Sequence, residues 1–259
     1  MGLAPVMRFV RAALLVGTAA LTLSACASNR TGHAVTADYS NLSGPQIQAS
    51  VVDLAARYRA DPRNKTLGIH YAAALRAAQQ QAQAVMVMEH LMAAYPNDPE
   101  VNLAYARALA SDGRFSQALN VVEQAVNPVA PDWDALSVRG AILDQMGEHA
   151  LARQSYSQAL LLAPQQASLH ANLGLSFAMT GELPQAESHL RQAVSLPGAS
   201  SKVRQNLALV LGLQGRFEEA RAIYAAELPP DAVEANMAYI RAMLTQQNRW
   251  DQIRGDTQG

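Results

Sequence analysis

Residues able to do chemistry are few in these 259 amino acids, and they are scattered. The six histidines are His33, His70, His90, His149, His170 and His189. None falls in the H-E-x-x-H spacing that sets two imidazoles on one helical face for zinc. One cysteine, Cys26, can build neither a cysteine-rich metal cluster nor an internal disulfide. No G-x-x-x-x-G-K-[ST] loop is present to cradle phosphates, and no G-x-S-x-G turn to expose a nucleophilic serine. Asp144 and Glu148 stand four apart, but like charges at that spacing are ordinary on a solvated helix face. The sequence predicts no enzymatic activity, no bound metal and no cofactor. Chemistry, if any, belongs to the cysteine.

Cys26 closes an apolar run. Arg8 and Arg11 precede "AALLVGTAALTLSA", residues 12–25, which carry no charge. A bilayer core of about 30 Å needs roughly 20 apolar residues as a helix, so the run is short for a span. A positive start, a short apolar stretch and small residues at its end describe a secretory signal peptide, expected over residues 1–25. Translation from Met7 instead of Met1 would give a more ordinary one. The end itself, Leu23-Ser24-Ala25-Cys26, resembles the bacterial lipobox. That resemblance implies thioether lipidation of Cys26, cleavage before it and acylation of the new amino terminus. Each buried CH₂ contributes about 0.8 kcal/mol, and more than one chain gives stable anchoring. Residues 26–45 are polar and without period, which predicts a lipidated flexible tether. Ala27 and Ser28 follow the cysteine, with no aspartate to mark inner-membrane retention. The expected location is the outer membrane, facing the periplasm.

Losing residues 1–25 removes two of the 20 basic residues and none of the 21 acidic ones, leaving a formal charge of −3. That is no nucleic-acid binder's balance. Half the residues are hydrophobic, yet only 5% are aromatic, a composition that suits helices packed closely through small side chains.

Gly113, Gly147, Gly181 and Gly215 follow one another at intervals of 34, and an alanine stands five after each: Ala118, Ala152, Ala186 and Ala220. Stepping back once more gives Ala84, with Gln79 in the glycine's place. This length and pattern look like the tetratricopeptide repeat, a pair of antiparallel helices. The implied fold is all-α, a right-handed superhelical solenoid. Five repeats fill residues 65–234, in copies that begin at 65, 99, 133, 167 and 201. The eighth position is always small (Ala72, Ala106, Gly140, Gly174, Ala208), so that the two helices of a unit can approach. The eleventh is always large and apolar (Leu75, Leu109, Leu143, Phe177, Leu211). Prolines near 96, 131, 164 and 197 are expected to end second helices. Residues 46–64 read as a half-repeat. Residues 235–259 read as a partial, capping repeat and tail, with Asn248 standing for the turn glycine. Two residues depart from the pattern, Arg139 at the seventh position and Glu227 at the twenty-seventh. A looser packing layer and a disrupted helix end account for them without a binding role.

In such solenoids the first helices line the concave face, through their second, fifth, ninth and twelfth positions. The expected groove therefore includes Ile69 and Arg76, then Leu103 and Arg107, then Ser137 and Asp144. Leu175, Lys202, Gln205 and Leu209 continue it. This mixture of apolar anchors and scattered charge suits an extended or helical protein segment. Asn172 and Asn206 fall one position off the pattern by which chaperone-binding relatives clamp a terminal carboxylate.

Two strings are more specific: "VRQNLALVLGLQGRFEEA" from Val203 and "LPPDAVEANMAYIRAML" from Leu228. With the stretch from Ala171 onward, they resemble the C-terminal half of the TadD-type lipoproteins of the tight-adherence (Flp) pilus system. That resemblance implies a pilotin-like factor that helps the pilus secretin reach or form in the outer membrane. The competing reading is a general envelope adaptor, for example one that docks peptidoglycan hydrolases. A self-associating scaffold is a third.

Overall fold

The computed structural model describes residues 39, 42–127 and 129–256, with the backbone alone for 246–256. Cys26, the expected signal peptide and most of the expected tether lie outside these residues. Those described form twelve α-helices and no strand. After α1 (Gly44–Ala60) come five pairs: α2 (Lys65–Ala77) and α3 (Gln81–Ala94), α4 (Pro99–Ser111) and α5 (Phe115–Ala125), α6 (Trp133–Gln145) and α7 (His149–Leu162), α8 (Ala167–Met179) and α9 (Leu183–Ser195), α10 (Ser201–Leu213) and α11 (Phe217–Glu227). The last helix, α12, runs Pro230–Asp256. No described helix is long and apolar enough to cross a membrane.

The first helices of the five pairs start 34 residues apart, and the first three open on a side-chain cap. Asn64, Asp98 and Asp132 each accept a hydrogen bond from a backbone N–H of the turn they open. The turn inside each repeat requires a positive φ, and Gly113 to Gly215 supply it at about +80°. Gln79, without the glycine, adopts the same kind of turn at φ 60°.

Packing follows the small residues. Ala72, Ala106 and Ala208 on the first helices, and Ala84, Ala118, Ala152, Ala186 and Ala220 on the second, are all essentially inaccessible. Across from them sit the large core side chains Met88, Val122, Tyr156, Leu190 and Tyr224, one per unit at the same repeat position. Of the large eleventh-position residues, Leu75, Leu109, Leu143 and Leu211 are buried, while Phe177 is half-buried.

Contacts between helices are asymmetric. Each first helix touches the next first helix, from α2 with α4 through α10 with α12. Among the described residues, no second helix packs on the next second helix. The first helices are therefore crowded together on the inner, concave side and the second helices splay on the outer side. Between successive outer helices run ion pairs: Arg114 to Glu89 at 3.6 Å, Arg216 to Glu187 at 2.6 Å and Arg191 to Glu219 at 3.6 Å.

Two expectations change. Asn248 makes no turn: the backbone of α12 passes through it as helix, and Val233, Met237 and Ile240 seal the last unit by packing on α10 and α11. At the end of the second unit, α5 stops at Ala125, six residues before Pro131. There the Asn127 side chain accepts hydrogen bonds from the backbone N–H groups of Val129 and Ala130, which turns the chain early.

Candidate functional site: the concave face

The groove candidates divide by burial. Ile69 and Leu103 are 3% and 8% exposed and belong to the core, where they hold neighbouring first helices together. Ser137 is also buried, and its hydroxyl oxygen accepts from Asn172 Nδ2 at 3.3 Å. Arg107 is half-buried and reaches forward to pair with Asp134 at the start of α6. Arg76, Leu175, Gln205 and Leu209 are half-buried, and Lys202 is exposed. Gln205 donates to Ser201 Oγ at 3.0 Å. What the inner face offers is thus Arg76, Leu175, Lys202, Gln205 and Leu209, spaced by alanines, over a floor built by the others.

Asp144 has a structural place. It is 5% exposed and lies between the third and fourth units. Its carboxylate accepts from Tyr156 Oη at 3.0 Å and from Ser176 Oγ at 2.8 Å, with His149 Nδ1 at 2.9 Å. Burial first, and the adjacent carboxylate second, push the Tyr156 phenol far above its ordinary pKa of 10, so it stays a donor. One feature of the sequence marks this cluster. Ser176 occupies the tenth repeat position, which is Ala74, Ala108, Ile142 and Val210 elsewhere, all buried.

The two departures from the repeat pattern are also structural. Arg139 donates to Ser155 Oγ at 3.1 Å and stands 3.8 Å from Glu123, tying the second unit to the third. Glu227, the last residue of α11, takes a two-pronged contact from Arg204.

Within the fourth unit, His170 and His189 lie with ring centroids 6.3 Å apart, and His189 stacks on Phe177 at 5.5 Å. The Arg153 guanidinium lies over the Phe177 ring, 4.6 Å from its centroid. His170 Nε2 faces the carbonyl of Pro164 at 3.0 Å and must donate to it. Both Nδ1 atoms are buried without a partner. Burial first, and the neighbouring His170 second, hold the His189 pKa below its ordinary 6.5. Between the lowered value and 6.5 the unfolded chain binds more protons than the folded one, so stability falls as pH drops through 6.5. Urea midpoints measured from pH 7.5 to 5.0 are expected to decline, and His189→Phe is expected to flatten the decline. No group of three or more potential metal ligands gathers among the described residues.

Comparisons with known proteins agree with this architecture. Tetratricopeptide-repeat family models match residues 75–139, 137–202 and 204–226, together more than half of the chain. An uncharacterized protein of Sinorhizobium fredii is 32% identical over 43% of this chain and 60% of its own length. Tetratricopeptide repeat protein 36 of Xenopus tropicalis is 34% identical over 53% of this chain and 66% of its own. The chain thus spans less than two thirds of either relative. Among solved structures, a thermophilic tetratricopeptide-repeat protein of Thermus thermophilus superposes with a TM-score of 0.60 at 24% identity. That superposition covers 68% of this chain and 97% of the other. A 34-residue helix pair repeated five times, with its small and large residues buried in register, makes this chain a tetratricopeptide-repeat protein.

Proposed function

We propose that this protein is a lipid-anchored, non-enzymatic scaffold for Flp pilus biogenesis, a pilotin-like factor that assists secretin assembly at the outer membrane. One observation carries the reading. The lipobox ending at Cys26 and the C-terminal strings of TadD-type lipoproteins occur in the same chain, on either side of a repeat array suited to binding protein. The second of those strings forms the junction of α11 and α12. Val233, Met237 and Ile240 are spent on packing there, but Tyr239 remains 60% exposed. The mechanism is physical. A lipid on Cys26 confines the solenoid to the membrane surface and raises its effective concentration near a membrane-bound client. The concave face then holds a secretin segment that would otherwise aggregate or insert wrongly.

The test is the amount of heat-resistant secretin multimer in outer-membrane fractions of wild type, a deletion strain and Cys26→Ala. Multimers are expected to vanish in the deletion and to fall about tenfold in Cys26→Ala, as loss of a local concentration enhancement of that order would give. Intact multimers and intact pili in both strains would sink the reading in favour of a general envelope adaptor.

A further inference from the structure

Among the described residues, one half-buried cation on the inner face has no anion. Every other half-buried lysine or arginine among the described residues faces a carboxylate. Lys65 has Asp98 and Glu100, Arg107 has Asp134 and Arg153 has Glu182, for example. Arg76 has none, and its Nε is buried without any hydrogen-bond partner. It stands at the twelfth position of the first unit, the end of the inner face of α2, where α2 packs on α4. Ala73, one turn before it, and Ala110, at the equivalent position of α4, are both small and half-buried. Burial first, and repulsion from Arg107 second, lower the Arg76 pKa to about 10, so the group is still charged at neutral pH. A desolvated guanidinium costs stability when unpaired and is strongly attractive to a carboxylate, which it meets with two parallel hydrogen bonds.

The rest of the groove points to the same partner. Its anions are already engaged: Glu100 by Lys65, Asp134 by Arg107, and Asp144 by Tyr156, Ser176 and His149. The groove cations without a partner are Arg76 and, at the far end, exposed Lys202. We infer that the first two repeats hold an acidic side chain of a client protein segment, its carboxylate paired with the guanidinium of Arg76. A side chain fits better than a chain terminus, because one guanidinium is free there and Arg107 is already committed. This rests on the reading of the concave face as a protein-binding groove, and it adds the chemistry of the client.

The experiment pans the full chain, purified in detergent, against a random twelve-residue peptide library displayed at the amino terminus of a phage coat protein. Such peptides offer no free carboxyl end. Binders are expected to share one Asp or Glu. The best of them, synthesised with an amidated C-terminus, is then titrated by fluorescence anisotropy. Affinity is expected to fall tenfold or more for Arg76→Met, and by as much when the peptide acid becomes Gln or Asn. The two changes together should cost little more than either alone. Arg76→Met is also expected to melt at or above the wild-type temperature, because an unpaired buried charge has been replaced by an apolar chain of similar length. Arg76→Lys, which keeps the charge without the fork, guards against misfolding of the first variant and should bind at an intermediate level. Binders without a shared acid, or binders indifferent to both variants, would overturn the inference and leave the groove reading standing. Enrichment of no sequence at all would overturn both.

Discussion

Asp144→Ala is expected to destabilise the protein by about 4 kcal/mol, the range found when one member of a buried charged network is deleted. The loss has identifiable parts. The Tyr156 and Ser176 hydroxyls lose their shared acceptor, and both residues are 2% exposed or less. His149 loses the carboxylate 2.9 Å away. Because Ser176 belongs to the fourth unit and Tyr156 to the third, the damage falls on an interface between repeats. Unfolding of a repeat array is cooperative only while neighbouring units remain coupled. Urea unfolding followed by circular dichroism should therefore show a lower midpoint with a broadened or split transition, unlike the single shift of an ordinary core mutation. Asp144→Asn keeps an acceptor oxygen and is expected to lose less than half as much. An unchanged, single transition in Asp144→Ala would show that the cluster does not couple the units.

Gly174→Val is expected to cost about 3 kcal/mol or more, from overpacking. A Cβ at Gly174 would lie 2.9 Å from Leu190 Cγ and 3.0 Å from the carbonyl oxygen of Ala186. The second contact decides the matter: a side chain can change rotamer, but a backbone carbonyl inside α9 cannot move without its helix. Differential scanning calorimetry of the variant should show a Tm lower by about 6 °C or more, for a domain of this size. Gly174→Ala should fall between the two proteins. A variant that melts with the wild type would mean that α8 and α9 can slide apart, and that the small eighth position is no packing constraint.

The solenoid was legible because its determinants repeat. One glycine or one capping aspartate is weak as a signal, but turn glycines and small core residues recurring at intervals of 34 fix the spacing of the helix starts from Lys65 to Ser201. Position alone also sorted the small from the large core residues. Two ends escaped the pattern for local reasons. At Asn248 an echo of the repeat was present in the letters, yet no glycine or capping residue compelled a turn, and helix continued. Near Pro131 an Asn127 turn acted first. The groove was legible only as a face. Helical period puts Ile69, Arg76, Leu103, Arg107 and Asp144 on one side of their helices, but says nothing of how closely successive helices crowd there. That crowding takes Ile69 and Leu103 into the core. Likewise the pairing of Arg107 with Asp134, which leaves Arg76 alone, joins residues 27 apart on different helices. No periodicity encodes it.

The unequal way the two sets of helices are joined gives the molecule a mechanical character. Along the inner edge, helix packs on helix through buried apolar side chains, with ion pairs such as Lys65 to Glu100 added to them. Along the outer edge, the links are long, solvent-facing charged side chains such as Arg191 and Glu219, 50% and 52% exposed. Dissolved salt weakens such links and leaves apolar packing intact. The array is thus a bent strip with a stiff inner seam and an electrostatically laced rim. The radius of curvature of the concave face is therefore expected to be set by the inner seam, with salt acting chiefly on the rim.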